Sequence, residues 1–410
     1  MLLNYLKITI AVLKRHPFFT LVTLFGICFT MTVLIVVTAF IDDLASAGYP
    51  QPERDKNLYV NRVKLSSGQS QMMSNGSLYL IQHYLNQLKT PEKIGFSGLM
   101  NTADSYLDDR KVRLYYKYSD ANFWDVTRFK LLEGRFYTDN DLKQNEKVVV
   151  ISSSARDELF GKGQPAVGKT VTMLNNTFRV VGVIQECSIV HFLLYGEVYV
   201  PYTFANIRPD DQNLMGPFTV ILQAPSVEKV PAMQRELKDM VARIPIPKGE
   251  MKELTIRADG YFETITRIQN SGNESTMQTF YLILATVALA FMLLPAVNLV
   301  NLNVSRMMER ASEIGIRKAF GASSGMLVWQ FVVENVILTV LGGILALLLS
   351  AALLSIINAQ GWIAGSDLSV NWRVALYAFG LILFFGLLSG VYPAWRMSRL
   401  QIATALKGGE

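Results

Sequence analysis

The chain has 410 residues, half of them hydrophobic and 18% charged, with a formal net charge of +6. A soluble globular chain carries about 25% charged residues, so charge is scarce here, and this much apolar content excludes a disordered chain. Two cysteines are too few for a scaffold built from disulfides. The placement of the charges decides between a nucleic-acid binder and a membrane protein.

Residues 1–16 carry Lys7, Lys14 and Arg15 and no acid. Leu2, Leu3, Leu6, Ile10 and Leu13 share one face, which predicts a cytoplasmic amphipathic helix on the membrane surface. No charge occurs from 17 to 41. A spanning helix needs about 20 apolar residues, whereas a signal-peptide core has about 7–15. Despite Ala45-Ser46-Ala47, which resembles a cleavage site, 17–41 is therefore read as an uncleaved first span, with Cys28 inside it.

Residues 42–279 hold 28 basic and 28 acidic side chains and read as a large α/β extracytoplasmic domain. Amphipathic helices are predicted at Leu78–Leu88, Ser154–Phe160 and Val227–Ala242. Strands are predicted at Val112–Tyr118, Val148–Ile151, Thr170–Leu174, Phe178–Ile184 and Val198–Pro201. Asn175-Asn176 is placed as a hairpin turn. Asp42–Ala47 and Phe262–Thr279 are expected to continue as helical stalks.

Three further uncharged runs follow. They place spans at 280–302, at 325–357 with an interfacial N-terminal part, and at 374–395. A cytoplasmic segment 303–324, a short external loop 358–373 and a cytoplasmic tail 396–410 separate and end them. Segments 1–16, 303–324 and 396–410 carry net charges of +3, +2 and +2, while 42–279 and 358–373 are neutral. Positive charge in short flanks marks the cytoplasmic side. The fold class is therefore a multi-pass membrane protein with four transmembrane α-helices, the large domain between helices 1 and 2, and both termini cytoplasmic. The +6 is a topology signal, and no nucleic-acid partner is expected. Within the spans, Pro295 is placed to kink helix 2, and Asn298 and Asn301 to bond across helices. Glu334 is expected at the cytoplasmic boundary, and Gly342-Gly343 at a close helix contact.

Gly163-Gln-Pro-Ala-Val-Gly168-Lys169-Thr170 matches the phosphate-loop spelling GxxxxGK[ST]. A true phosphate loop runs from a buried strand into a helix. Here a helix precedes and β-formers follow, so the segment is read as a turn into a strand. His16, His83 and His191 are scattered, and no metal cluster or nucleophile motif is present. No catalytic, cofactor or metal site is expected.

The informative stretch is Glu309-Arg310-Ala311-Ser312-Glu313-Ile314-Gly315-Ile316-Arg317-Lys318-Ala319-Phe320-Gly321-Ala322. On a helix, Arg306, Arg310, Glu313 and Arg317 share one face. Glu313 precedes Arg317 by one turn, the favourable order for an ion pair, and Gly321 is placed to end the helix. By physics alone this is either a short docking helix or an ordinary solvated loop.

The stretch resembles the signature of the MacB/FtsX-like ABC transporter permeases. Leu132-Glu133-Gly134-Arg135-Phe136-Tyr137, Gly168-Lys169-Thr170-Val171 and Phe178-Arg179-Val180-Val181-Gly182-Val183-Ile184 are similar to that family's periplasmic core domain. Gly390-Val391-Tyr392-Pro393-Ala394-Trp395-Arg396 with Ala405-Leu406-Lys407 resembles the end of its fourth span and tail. Gln401 departs from the family, which often has proline there, and no ATPase domain is fused to the chain.

The resemblance implies a permease subunit in the cytoplasmic (inner) membrane that binds no cofactor and is not itself an enzyme. ATP and Mg are bound by a separate cytoplasmic ABC ATPase. A second permease copy or paralogue completes a dimer, membrane lipid surrounds it, and an envelope adaptor protein is a further partner in such systems. Arg306, Glu309, Arg310, Glu313, Gly315, Arg317, Lys318 and Gly321 would form the coupling helix that docks on the ATPase. Its stroke would move the outer domain to export or release a drug, peptide or lipoprotein. The alternative is a signalling or scaffold protein that regulates an extracytoplasmic hydrolase or sensor without moving substrate.

Overall fold

The computed structural model describes residues 17–45, 48–246 apart from 68–69, 108–109 and 209, 252–268, 278–287, 323–363 and scattered positions from 289 to 387. The chain divides into two compact units. One comprises Met1–Asp42, Gln278–Trp362 and Leu368–Glu410. The other comprises Asp43–Met277 with Ile363–Asp367.

The first unit contains two described helices long and apolar enough to cross a membrane, Pro17–Ala45 and Ser324–Gln360. A shorter apolar helix covers Gln278–Val287. Most of the expected second and fourth spans, and all of 1–16 and 396–410, lie outside the described residues. The two long helices pack where the glycine pair predicts a close contact. A Cβ on Gly342 would stand 2.7 Å from Ile27 Cγ2 of the first helix; one on Gly343 would stand 3.4 Å from Met31 Sδ of that helix and 2.8 Å from Phe379 Cε2, which lies outside both. Small residues let helix backbones approach, which drives association in lipid. Ile27, Met31, Ile35, Ala346 and Ala375 form the core of this contact. Ser323 caps the second helix by accepting from the Met326 N–H at 3.3 Å. Gly361, at φ +62°, closes it. At 37 residues this helix runs about 55 Å, against a hydrocarbon core of about 30 Å. That length leaves its first turns, with buried Gln330 and Glu334, room at the polar boundary.

The second unit is built on a thirteen-stranded mixed sheet. Its strands are β1 Asn57–Ser66, β2 Gln71–Gly76, β3 Lys93–Gly98, β4 Asn101–Leu107, β5 Arg110–Ser119, β6 Leu131–Gly134 and β7 Val148–Ser152. They continue with β8 Thr170–Met173, β9 Asn176–Ile184, β10 Val198–Pro201, β11 Met215–Gly216, β12 Phe218–Gln223 and β13 Glu253–Asp259. The order is β11-β2-β1-β12-β3-β5-β10-β7-β9-β6, with β13 on β1, β4 on β5 and β8 on β9. The first lobe runs from β11 to β3, and the second from β5 to β6. Only one residue pair, Ser97 with Ser119, joins β3 to β5. β10 is parallel to β5, and β7 to β9.

All five predicted strands and all three predicted helical segments are present, the latter as Leu78–His83 with Leu85–Gln87, Ser153–Phe160, and Val227–Lys229 with Val230–Val241. The β8–β9 hairpin turns one residue earlier than expected. Leu174 and Asn175 both have positive φ, 53° and 57°, and Asn176 already pairs with Met173. Two positive φ values are the geometry of a type I′ turn.

Side chains from the two lobes meet in a shared aromatic core of Tyr59, Phe123, Trp124, Tyr137, Tyr199, Ile221 and Tyr261. Gly95 in β3 makes room for it. A Cβ there would stand 2.9 Å from the Phe123 backbone nitrogen, so only glycine lets the helix Phe123–Thr127 lie on the strand. Asp120 fixes the same junction. Its buried Oδ1 accepts from the N–H groups of Phe96 at 2.9 Å and Phe123 at 3.0 Å. Burial outweighs these bonds and pushes the carboxyl up to about 7.

Two of the family-like motifs meet in space. Gly134 of β6 pairs with Gly182 of β9. A Cβ on Gly134 would stand 2.1 Å from the Val181 carbonyl oxygen, and one on Gly182 would stand 2.3 Å from that of Arg135. Gly134 also has φ +70°. Past the crossing, Arg135 donates to both carboxylate oxygens of Asp141, at 2.7 and 2.8 Å. Asp141 closes a capping box with Thr138. The Arg135 guanidinium holds the Asp141 carboxyl well below the usual carboxylate range.

Two predictions follow from these contacts. Gly182→Ala forces two backbones apart and costs about 2–4 kcal/mol, read as a lowered Tm of the full chain in detergent. A Tm within 1 °C of the parent would show that the crossing tolerates a Cβ. Asp120→Asn keeps the acceptor and removes the titration. Because the folded-state pKa is raised, Asp120 contributes stability in acid that is lost as pH climbs from about 4 to about 7. The variant should therefore gain on the parent across that window, by up to about 1.4 kcal/mol per pH unit. Thermal melts at pH 5 and pH 8 measure the gap.

Candidate functional site

The segment predicted to couple to an ATPase falls largely outside the described residues. Arg306, Glu309, Arg310, Glu313, Gly315, Arg317 and Lys318 all lie there. Its C-terminal end is described. The Phe320 N–H donates to the Ile316 carbonyl at 3.1 Å, one helical turn back. Gly321 follows at φ +90°, a conformation that ends helices and that L side chains avoid. Phe320 is 88% exposed, so an apolar ring stands in solvent beside the turn.

The outer unit carries a second candidate site where its two ends meet. β1, the first strand after the helix Pro17–Ala45, pairs antiparallel with β13, which leads into the helix Tyr261–Ile268. Tyr59 of β1 stands opposite Asp259 of β13. The two membrane-directed segments therefore leave from one place, and Tyr261 ties them together. The Arg54 guanidinium lies 4.5 Å above the Tyr261 ring, a cation–π contact. The Tyr59 ring meets Tyr261 edge-on at 5.4 Å. His191 Nδ1 and the Tyr261 hydroxyl are hydrogen-bonded at 2.9 Å. The Tyr59 hydroxyl donates to Gln51 Oε1 at 2.6 Å.

The neck is polar and tightly closed. Arg54, Asn57, Gln51 and His191 are all buried. Asp43 Oδ2, Gln51 Nε2 and Asn57 Nδ2 are buried with no hydrogen-bond partner. Burial pushes the His191 imidazole down from its ordinary value, and the nearby Asp43 works against this. The sequence gives no local signal for this cluster. Its members come from separate segments of the chain, so no local run of residues announces it, although β13, Glu253–Asp259, alternates polar and apolar residues.

The phosphate-loop look-alike is a structural turn. The helix Ser153–Phe160 precedes it and β8 follows. Its N–H groups are occupied by the protein itself: Gly163 donates to Asp157 Oδ1 at 3.0 Å, Ala166 to Glu133 Oε2 at 3.2 Å, and Gly168 to the Val180 carbonyl at 2.8 Å. Two carboxylates stand where phosphates would have to sit, and Lys169 lies over the Phe160 ring. Among the described residues no cluster of metal-ligating side chains is found.

Tyr261→Phe should cost about 1 kcal/mol through the lost hydrogen bond. Tyr261→Ala should cost about 3–5 kcal/mol through the lost ring. Thermal unfolding followed by tryptophan fluorescence reads both, since Trp124 shares the core with Tyr261. Equal costs for the two variants would remove the ring contacts from the neck.

Comparison with known proteins agrees with this architecture. Residues 20–240 match the family model for the MacB-like periplasmic core domain, and 285–402 match that for the FtsX-like permease C-terminal region. The uncharacterized ABC transporter permease YvrN of Bacillus subtilis (strain 168) is 30% identical over 293 residues, 70% of this chain and 68% of that protein. The macrolide export ATP-binding/permease protein MacB of Wolinella succinogenes is 24% identical over 99% of this chain, which spans 61% of its length. Among solved structures, the periplasmic region of MacB from Actinobacillus actinomycetemcomitans matches with a TM-score of 0.37 and 17% identity, covering 53% of this chain and 94% of that one. The chain belongs to the MacB/FtsX-like family of ABC transporter permeases.

Proposed function

We propose that this permease couples ATP hydrolysis by a separate cytoplasmic ATPase to motion of its outer domain. The observation that carries the reading is the match of 285–402 to the FtsX-like permease region, which contains the charged segment 306–321. That segment carries Arg306, Glu309, Arg310, Glu313, Arg317 and Lys318 in sequence, which on a helix would give a charged surface for an ATPase. Gly321, at φ +90°, ends it. ATP and Mg act in the ATPase subunit, and this chain supplies the lever. The stroke passes along the membrane helices to the outer domain through the neck, where Tyr261 joins both connecting segments. Two permease copies, or this chain and a paralogue, form the membrane half, with an envelope adaptor where the cell has one. Relatives named for macrolide export favour export or release of a drug, peptide or lipoprotein over pure signalling.

Co-purification with candidate ATPases tests the docking surface. Arg317→Glu reverses a charge on the docking face, and Gly315→Pro removes a backbone donor and stiffens the turn. Each should reduce recovered ATPase at least tenfold while the permease still enters the membrane. Undiminished recovery with both variants would rule out docking at 306–321.

A further inference from the structure

The outer unit holds a cavity of about 470 Å³ between its two lobes. Asn61 and Arg62 of β1, Met73 and Asn75 of β2, and Thr219 of β12 line it from the first lobe. Leu99, Met100, Lys117 of β5, Phe192 and Leu193 line the other side. The size lies within the ~300–1,000 Å³ of small-molecule sites. It equals roughly sixteen waters at ~30 Å³ each, which suits a single-chain molecule of modest length. Its exposed lining is mainly apolar, and Met73 and Leu99 stand at the mouth, both about half exposed.

Lys117 is the anomaly. It is 2% exposed, and its Nζ donates to the carbonyls of Gly98 at 3.2 Å and Leu193 at 2.9 Å. An ammonium has three hydrogens, and those two bonds use two of them. Among the described residues no carboxylate lies within ion-pair distance of Lys117. Cys187, the nearest titratable neighbour, is pushed up to about 12 by burial and supplies no negative charge. A buried ammonium without a counter-ion is costly, and burial alone pushes this one down to about 7. Among the described residues the cavity lining holds no acidic side chain. A buried amine on a cavity wall, with two of its hydrogens held by carbonyls and no counter-ion, is a candidate ligand-binding group.

We infer that this cavity binds a single-chain amphiphilic anion, its carboxylate or phosphate head on Lys117 and its apolar body against Met73, Leu99, Met100 and Phe192. The same chemistry rejects a cationic amphiphile, because an ammonium head would face the Lys117 amine. Met side chains adapt to varied apolar shapes, so chain length should matter less than the sign of the head. The inference does not depend on ATPase coupling, and binding here would persist in a variant that loses the ATPase.

The test uses the full chain in nanodiscs of phosphatidylcholine, which carries no net charge. Two photoactivatable probes of one chain length are compared, a diazirine-bearing dodecanoate and the matching dodecylammonium. The dodecanoate should label peptides containing Met73, Met100 or Phe192 at least tenfold more than the ammonium probe, and unlabelled dodecanoate should compete. Lys117→Met should reduce this labelling at least tenfold. Because that variant leaves two buried carbonyls unpaired, Met73→Glu at the exposed mouth serves as a second. It should reduce dodecanoate labelling and leave the thermal melt unchanged. Equal labelling by both probes, or labelling insensitive to Lys117→Met and Met73→Glu, would overturn the assignment.

Discussion

The pairing of the first and last strands of the outer unit sets its mechanics. β1 follows the first membrane-directed helix, β13 precedes the next, and Tyr59 stands opposite Asp259. Antiparallel neighbours place the entry and exit of the chain at one end of the sheet. A domain whose ends lay on opposite edges could be pulled apart by the helices that hold it. Here both ends enter one hydrogen-bonded ladder. Tyr261 stands at that junction. It carries the Arg54 contact, the Tyr59 edge and the His191 bond at once. Each aromatic pair contributes about 0.5–1.5 kcal/mol beyond burial, so the neck holds through several modest contacts.

The second lobe is organised by close backbone approach. β6 and β9 cross at Gly134 and Gly182, and neither site has space for a methyl group. The residues after Gly134 then use the proximity this creates. The Arg135 N–H donates to the Val181 carbonyl, its guanidinium grips Asp141, and the Tyr137 hydroxyl bonds with that of Ser119. Glu133 reaches the other way to Arg156 and the Ala166 N–H. The run from Leu132 to Tyr137 is therefore a structural clasp. Asp157 and Glu133 secure the neighbouring glycine-rich turn by accepting from its Gly163 and Ala166 N–H groups.

Some of this was legible in the sequence and some was not, for physical reasons. The second lobe's strands showed because Val148–Ser152 and Asn176–Ile184 are dense in β-branched residues that pack on a pleated surface. The first lobe was harder. β2 reads Gln-Met-Met-Ser-Asn-Gly, largely exposed and without β-formers, and forms through pairing with β1. β1 itself carries Asn, Arg and Lys among its apolar residues. The close helix contact was readable because adjacent glycines in an apolar helix have few other uses. Lys117 was invisible for the opposite reason. In Arg110–Ser119 it stands among other basic residues and looks like a solvated face, and only the fold shows that it is buried. Likewise, the balanced charge of 42–279 is a property of the whole domain and says nothing of one unpaired amine inside it.

The neck and the cavity share a strand. Tyr59 of β1 faces the aromatic core with Tyr261, while Asn61 and Arg62, a few residues further along, line the cavity. The β1–β13 ladder changes register between Tyr59 and Arg62. Such an irregularity bends a strand locally and interrupts its bonding, so β1 is least constrained between the two sites. The opposite wall of the cavity is held elsewhere, by Lys117 on β5 and by Leu193, whose carbonyl the Lys117 amine grips. The lobes themselves are joined by one strand pair and the shared aromatic core. β1 thus serves both the neck and one wall of the cavity, while the wall that carries Lys117 belongs to the other lobe.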